Sequence, residues 1–195
     1  MILPVVAYGD PVLRKVAKEI DANYPDLDKL IANMKQTMYN ASGVGIAAPQ
    51  IGKSIRLFVI DATPFAEDED LTQQERDQLK DFNKVFINPK VIKEEGDEWA
   101  FSEGCLSIPD IREDVFRQEN VTFEYQDEKF ETHQQTLTGI AARVFQHEYD
   151  HLEGVLFTDK LSSLKKRILK KKLEKISQGK INTEYRMRFP NLKKK

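Results

Sequence analysis

Apolar residues recur along this chain with two different periods, and the switches between them mark out its elements. Over residues 25–39, Leu27, Leu30, Ile31, Met34 and Met38 return at spacings of three and four, which predicts an amphipathic helix. Short apolar runs at 57–60 and 85–87, and alternating segments at 91–95, 111–118, 121–125 and 129–135, predict strands of a largely antiparallel sheet. Asp10-Pro11 reads as an N-cap followed by proline at the first helical position, opening a short turn to Val16. Asn88-Pro89 is expected to end a strand, and Asp127-Glu128 to turn a hairpin. Thr138 suits an N-cap for a helix over 139–152, with Gly154 in place to stop it. The pattern predicts an α+β fold: antiparallel β-sheets around a central helix, with a further C-terminal helix.

Charge divides the chain. The formal net charge is −2, but the stretch from Lys160 onward holds 14 Lys/Arg against 2 Asp/Glu. In residues 161–176, Leu161, Leu164, Ile168, Leu169, Leu173 and Ile176 form an apolar stripe on a basic helix. That helix either packs its stripe on the body or serves as a docking arm for an RNA-rich or other anionic partner. We therefore expect a body over 1–160 and a basic helix and tail over 161–195. Residues 67–81 are acidic and poor in large apolar groups, as in a surface insertion of loop and short helix. The apolar start, 1–8, lacks the basic region and cleavage site of a signal peptide, and no apolar run reaches the roughly 20 residues that cross a bilayer. The expectation is a cytoplasmic protein with no membrane contact, acting as a monomer.

One cysteine and three histidines exclude a disulfide framework and any Cys₄ or Cys₃His site. The stock of soft ligands is nevertheless concentrated. Residues 146–151 read QHEYDH, which contains H-E-x-x-H. On a helix His147 and His151 project from one face and can share one metal ion, with Glu148 beside it to handle protons. His133 lies in a strand-like run and reads as an ordinary strand residue. Cys105, in Glu103-Gly104-Cys105-Leu106-Ser107, is the better third ligand; two imidazoles and a thiolate leave a fourth position open. Ile140 and Val144 continue the His147–His151 stripe and present apolar surface beside the site, with Arg143 adjacent. Glu103 is a candidate to pair with Arg112 or Arg117. The small-residue loop 43–50 (GVGIAAPQ) ends in an amide, Gln50, able to donate to an oxyanion.

These three segments, in this order, resemble the motifs of the peptide deformylase family: G-φ-G-φ-A-A-x-Q at 43–50, E-G-C-L-S at 103–107 and Q-H-E-x-D-H at 146–151. The similarity spans roughly residues 1–165, and the E-G-C-L-S form with a helical C-terminal extension looks like the bacterial type 1 branch. The resemblance implies hydrolytic removal of the formyl group from N-formylmethionyl nascent peptides. It implies one divalent metal held by Cys105, His147 and His151, Fe²⁺ in the cell, with Zn²⁺, Ni²⁺ or Co²⁺ able to replace it. It implies catalysis by Glu148 as general base and then acid, with the Gln50 amide and the Leu106 N–H stabilising the oxyanion. It also implies that the peptide binds as an added strand against Val44, Gly45 and Gly104, with its methionine in a pocket walled by Ile140, Arg143 and Val144. Docking near the ribosomal exit tunnel through the basic segment is compatible with that activity.

Two other readings stay open on the sequence. A general endopeptidase of the H-E-x-x-H type needs a third ligand downstream of His151, where Glu153 and Asp159 are the nearby acids but neither has a familiar spacing. A non-catalytic module with a structural metal needs a fourth protein ligand, and none is evident.

Overall fold

A computed structural model describes residues 1–192. The chain opens with a short strand, β1 (Val5–Val6), and a 3₁₀ turn over Pro11–Arg14, where the Asp10 carboxylate accepts the Val12 N–H at 3.0 Å. Helix α1 (Leu27–Asn40) buries Leu30, Ile31, Met34 and Met38, as its periodicity predicts. Strands β2 (Gly45–Ala47), β3 (Leu57–Asp61), β4 (Asn83–Cys105), β5 (Ile108–Gln126) and β6 (Thr132–Thr138) then form one antiparallel sheet in that spatial order.

The expected break at Asn88-Pro89 does not end a strand, because β4 runs straight through it. Asn88 takes the left-handed φ of 49°, and the ladder to β5 slips between Ile87 and Lys90, so the proline falls where no ladder bond is required. The Asn88 side chain secures the bulge by accepting the Ile20 N–H and donating to the Ile20 carbonyl and Gln126. The segments expected separately at 111–118 and 121–125 likewise fuse into β5. The result is one long hairpin whose tip is the two-residue turn Leu106-Ser107, closed by pairing of Cys105 with Ile108.

Between β3 and β4, the acidic stretch folds as a 3₁₀ turn (Thr63–Glu67) and the short helix α2 (Gln73–Leu79), which opens with a reciprocal Thr72–Glu75 capping box. Leu79 and Phe82 anchor this segment in the core.

Helix α3 (Gly139–Leu152) follows β6 without a loop. Thr138 occupies the N-cap position but makes no side-chain cap bond. The reversal is made by Gly139 at φ +55°, a conformation glycine adopts without a Cβ penalty. The expected stripe is only part of what α3 buries: Ala141, Ala142, Phe145, Gln146 and Leu152 are buried too. Phe145 stacks on Phe123 at 3.8 Å between centroids and meets the edges of Phe58 and Phe86, each at 5.3 Å. A helix buried along most of its surface holds its residues in fixed rotamers, which suits a site built upon its one open flank.

Helix α4 (Ser163–Ser177) buries Leu169, Leu173 and Ile176 beside Leu161, but leaves Leu164 and Ile168 exposed. The buried stripe is thus narrower than the six-residue pattern, because the body covers only one flank of the helix. The chain then doubles back, and strand β7 (Met187–Arg188) pairs in parallel with β1, Val5 opposite Met187 and Val6 opposite Arg188. No helix among the described residues is long and apolar enough to cross a membrane.

Candidate active site

The hairpin tip and α3 bring the scarce soft ligands together. One ligand atom each from Cys105, His147 and His151 lie within 4.8 Å of one another, and Cys105 Sγ is 3.3 Å from His151 Nε2. One thiolate and two imidazoles match the donor set of a borderline-soft divalent ion, so the residues fit a metal. His147 Nδ1 is engaged by Glu103 Oε2 at 2.9 Å, which leaves Nε2 for the ion. Burial opposes a charge on His147, but the Cys105 sulfur and the Glu103 carboxylate outweigh it, and its pKa lies well above the usual imidazole value. At His151, burial and then the charge of His147 act in the same direction, and its pKa lies well below.

Glu103, 4% exposed, is the hub behind this centre. Arg117 donates to it through Nε at 2.7 Å and Nη2 at 2.9 Å, and Arg143 through Nη1 at 3.0 Å. Arg117 also reaches Asp150 at 2.7 Å. Burial works against the charge of Glu103, but the bonds from Arg117 and His147 prevail and hold its carboxyl far below the usual range. Arg112 is not its partner: that side chain donates instead to the Ser102 carbonyl at 2.7 Å. Register explains the choice, because Arg112 sits opposite Gly104, whereas Arg117 shares the inward phase of β5 with Ile111 and Val115.

Glu148 is 4% exposed, and its Oε2 has no hydrogen-bond partner among the described residues. Burial, reinforced by the charge of Glu103, pushes its pKa up to about 7. Gly45 lies directly against it, and a Cβ there would fall 2.8 Å from Glu148 Cδ. Gln50 is buried with its amide oriented: Oε1 accepts the Ala47 N–H at 2.8 Å, and Nε2 faces Cys105 Sγ at 3.4 Å and Ser107 Oγ at 3.5 Å. The arrangement places a carboxyl able to exchange a proton at neutral pH, a fixed amide donor and three candidate metal ligands on one wall.

A cleft of about 490 Å³ opens onto this wall and is lined by Val44, Gly45, Gln50, Gly104, Leu106, Arg143, Val144, His147 and Glu148, among others. Ile140 does not line it; this residue packs into the core with Phe145 and Leu137, because the cleft begins one turn further along α3. The Arg143 guanidinium turns inward, 4.5 Å from the Trp99 ring, and donates to the Trp99 and Val115 carbonyls. The Val44 carbonyl is committed to the sheet, accepting the Asp61 N–H at 2.8 Å. Glu153 pairs with Arg56 and Asp159 with Arg14, so neither acid joins the ligand group. His133 sits on β6, bonded to Asp127 at 2.9 Å.

Three contributors escaped the sequence pattern. Asp150 stands inside the motif but serves Arg117, and Trp99 covers Arg143. Tyr185, far along the chain, lines the cleft and donates to the Leu106 carbonyl at 2.8 Å. An arginine in the inward phase of a strand was the available signal for the first; nothing local announced Tyr185.

Among known proteins, the family described as polypeptide deformylase matches residues 2–167. A peptide deformylase of Christiangramia forsetii is 66% identical over 194 residues, covering 100% of this chain and 99% of that relative. One of Flavobacterium johnsoniae is 61% identical with the same coverage. The crystal structure of a peptide deformylase from Legionella pneumophila superposes with a TM-score of 0.77 at 38% identity, covering 92% of this chain and 98% of that one.

Proposed function

That this chain belongs to the polypeptide deformylase family is the premise from which we propose how its residues work. The enzyme removes the formyl group from the N-terminal formyl-methionine of nascent polypeptides. The observation that carries the chemical reading is the meeting of Cys105, His147 and His151 beside the buried, unpartnered carboxylate of Glu148. Those three residues would hold one divalent metal, which we take to be Fe²⁺ in the cell, while Zn²⁺, Ni²⁺ and Co²⁺ suit the same donors. When bound, the ion supplies Lewis acidity to water and to the formyl oxygen.

The chain's own groups do the rest. Glu148 takes the proton of the attacking water and returns it to the departing α-amine; a pKa of about 7 lets it do both near neutral pH. Gln50 Nε2 and the Leu106 N–H donate to the oxyanion on the former formyl carbon. The peptide lies as an added strand along β2, against Val44 and Gly45, with Gly104 on its other side. Val144 and the aliphatic stem of Arg143 wall the methionine pocket. Glu103 holds the His147 ring through Nδ1, which leaves Nε2 as the nitrogen that would bind a metal. A site of this kind acts on chains as they emerge in the cytoplasm, and we assign the basic face of α4, on a monomer, to docking on the RNA-rich ribosomal surface.

The test of the chemistry is Glu148→Ala, purified anaerobically with its metal quantified and assayed on formyl-Met-Ala-Ser. Full metal content with turnover reduced at least about a hundredfold is expected; near-parent turnover in the loaded variant would refute the role of Glu148. Replacing Lys166, Arg167, Lys170 and Lys171 by Glu should abolish salt-sensitive co-sedimentation with ribosomes, and unchanged co-sedimentation would reject the docking face.

A further inference from the structure

The hairpin tip that carries Cys105 and Leu106 is held from behind by two segments far from it in sequence. The turn has two carbonyls of its own, and each is taken. The Tyr8 N–H donates to the Ser107 carbonyl at 2.8 Å, and the Tyr185 hydroxyl donates to the Leu106 carbonyl at 2.8 Å. The two donors belong to one small unit. The Val5 N–H donates to the Arg186 carbonyl and the Ala7 N–H to the Arg188 carbonyl, both at 2.9 Å, so β1 and β7 lock together just beside the tyrosines. Arg188 adds a bond to Asp10 at 3.2 Å. The front of the turn is restrained as well, since Gln50 faces Ser107 Oγ and the Leu106 side chain fills the space above Gly43.

We propose that Tyr185 is a positioning residue for deformylation: its hydroxyl, presented by the β1–β7 pair, fixes the Leu106-Ser107 peptide plane and, through the shared Leu106 Cα of this two-residue turn, steadies the adjoining Cys105-Leu106 plane that carries the Leu106 N–H. The inference rests on the deformylase reading and adds to it a residue outside all three motifs. A backbone donor contributes to catalysis only while it is aimed at the developing charge, where removing one donor outright costs about 10²–10³ in kcat. A two-residue turn freed at one carbonyl can rock about its flanking bonds, so part of that contribution is lost while the donor itself remains. Tyr185 reaches none of the reacting atoms through its hydroxyl, which is spent on Leu106. Its loss therefore acts on the transition state and leaves ground-state peptide binding in place.

The experiment is Tyr185→Phe in the full chain, loaded with Ni²⁺ and assayed on formyl-Met-Ala-Ser beside the parent, with metal content and Tm measured on the same samples. The phenylalanine keeps the ring in place and removes only the hydroxyl. The expected result is a fall of about five- to tenfold in kcat per bound metal, from one lost hydrogen bond. KM should stay within about twofold, and Tm should move by no more than about 2–4 °C, the shift that one kcal/mol gives a chain of this size. A kcat per bound metal equal to the parent's overturns the proposal. So does a change confined to KM, which would make Tyr185 a substrate contact, or a loss that disappears when the assay temperature is lowered, which would make it a merely structural residue. A parent that fails to deformylate the peptide overturns the reading beneath the proposal, and the two failures are told apart by that lane alone.

Discussion

Replacing Glu103 by glutamine keeps the shape of a buried carboxylate that two arginines and a histidine share, and removes its charge. Four bonds converge on it: two from Arg117 at 2.7 and 2.9 Å, one from Arg143 at 3.0 Å and one from His147 at 2.9 Å. Arg117 and Arg143 are 5% and 2% exposed, and among the described residues Asp150 alone remains paired with either of them. The variant therefore strands one buried guanidinium without a counter-charge and turns an amide donor toward donors. Breaking a buried ion pair in this way costs about 3–5 kcal/mol. For a chain of this length that corresponds to a fall in Tm of about 6–20 °C. Thermal unfolding of the metal-free protein, followed by circular dichroism, reads it directly. His147 also loses the acceptor that orients its ring, so metal affinity measured against a chromophoric chelator should weaken by about 10–100-fold. The half-exposed surface pair Glu113–Lys165, at 2.7 Å, is the comparison, and Glu113→Gln should leave Tm close to the parent's. If Glu103→Gln melts within about 2 °C of the parent and binds metal equally well, the carboxylate is no hub and the reasoning fails.

Three further outcomes follow from the same geometry. Gly45→Ala sets a Cβ 2.8 Å from Glu148 Cδ and must displace that carboxylate by a sizeable fraction of an ångström; on the proposed role of Glu148, kcat should drop about a hundredfold at full metal occupancy, and near-parent turnover would contradict it. The pH dependences have opposite origins but point the same way. Glu103, held below the usual carboxylate range, contributes stability that is present above the ordinary carboxylate pKa and lost as pH falls through its folded value, so Glu103→Gln should flatten the acid limb of the stability curve. The raised pKa of His147 means that metal uptake must expel a proton, so Zn²⁺ affinity should rise from pH 6 to pH 7 by up to about tenfold, and a flat profile would remove the proton from His147.

Local signals carried the sequence reading where function and punctuation coincide. Gly139 and Gly154 bound α3 at the expected positions because each sits at a positive φ, and His147 and His151 share a face because the helix period demands it. The merging of strands at Asn88-Pro89 was not legible, since a proline that ends a strand and one that occupies a bulge look alike until the partner is known. The exposure of Leu164 and Ile168 was hidden for a similar reason: periodicity marks an apolar face but not how much of it the body covers. The pairing of Glu103 with an arginine of the next strand was legible, but the choice of Arg117 over Arg112, and the role of Tyr185, required tertiary knowledge, as these partners lie 14 and 79 residues away along the chain.

The pairing of β1 with β7 carries a consequence in time. Asp10 and Arg188, bonded across this unit, stand 178 residues apart, so theirs is among the most distant closures in the fold. A chain growing from its N-terminus has Cys105, His147 and His151 available for assembly well before Met187 exists to meet Val5. Contacts of such separation close late, after the local hairpin and helices have formed. A newly made copy can thus collect its metal ligands first and stiffen the turn beside them last, so that metal capture and full activity become separable stages in the maturation of a single molecule.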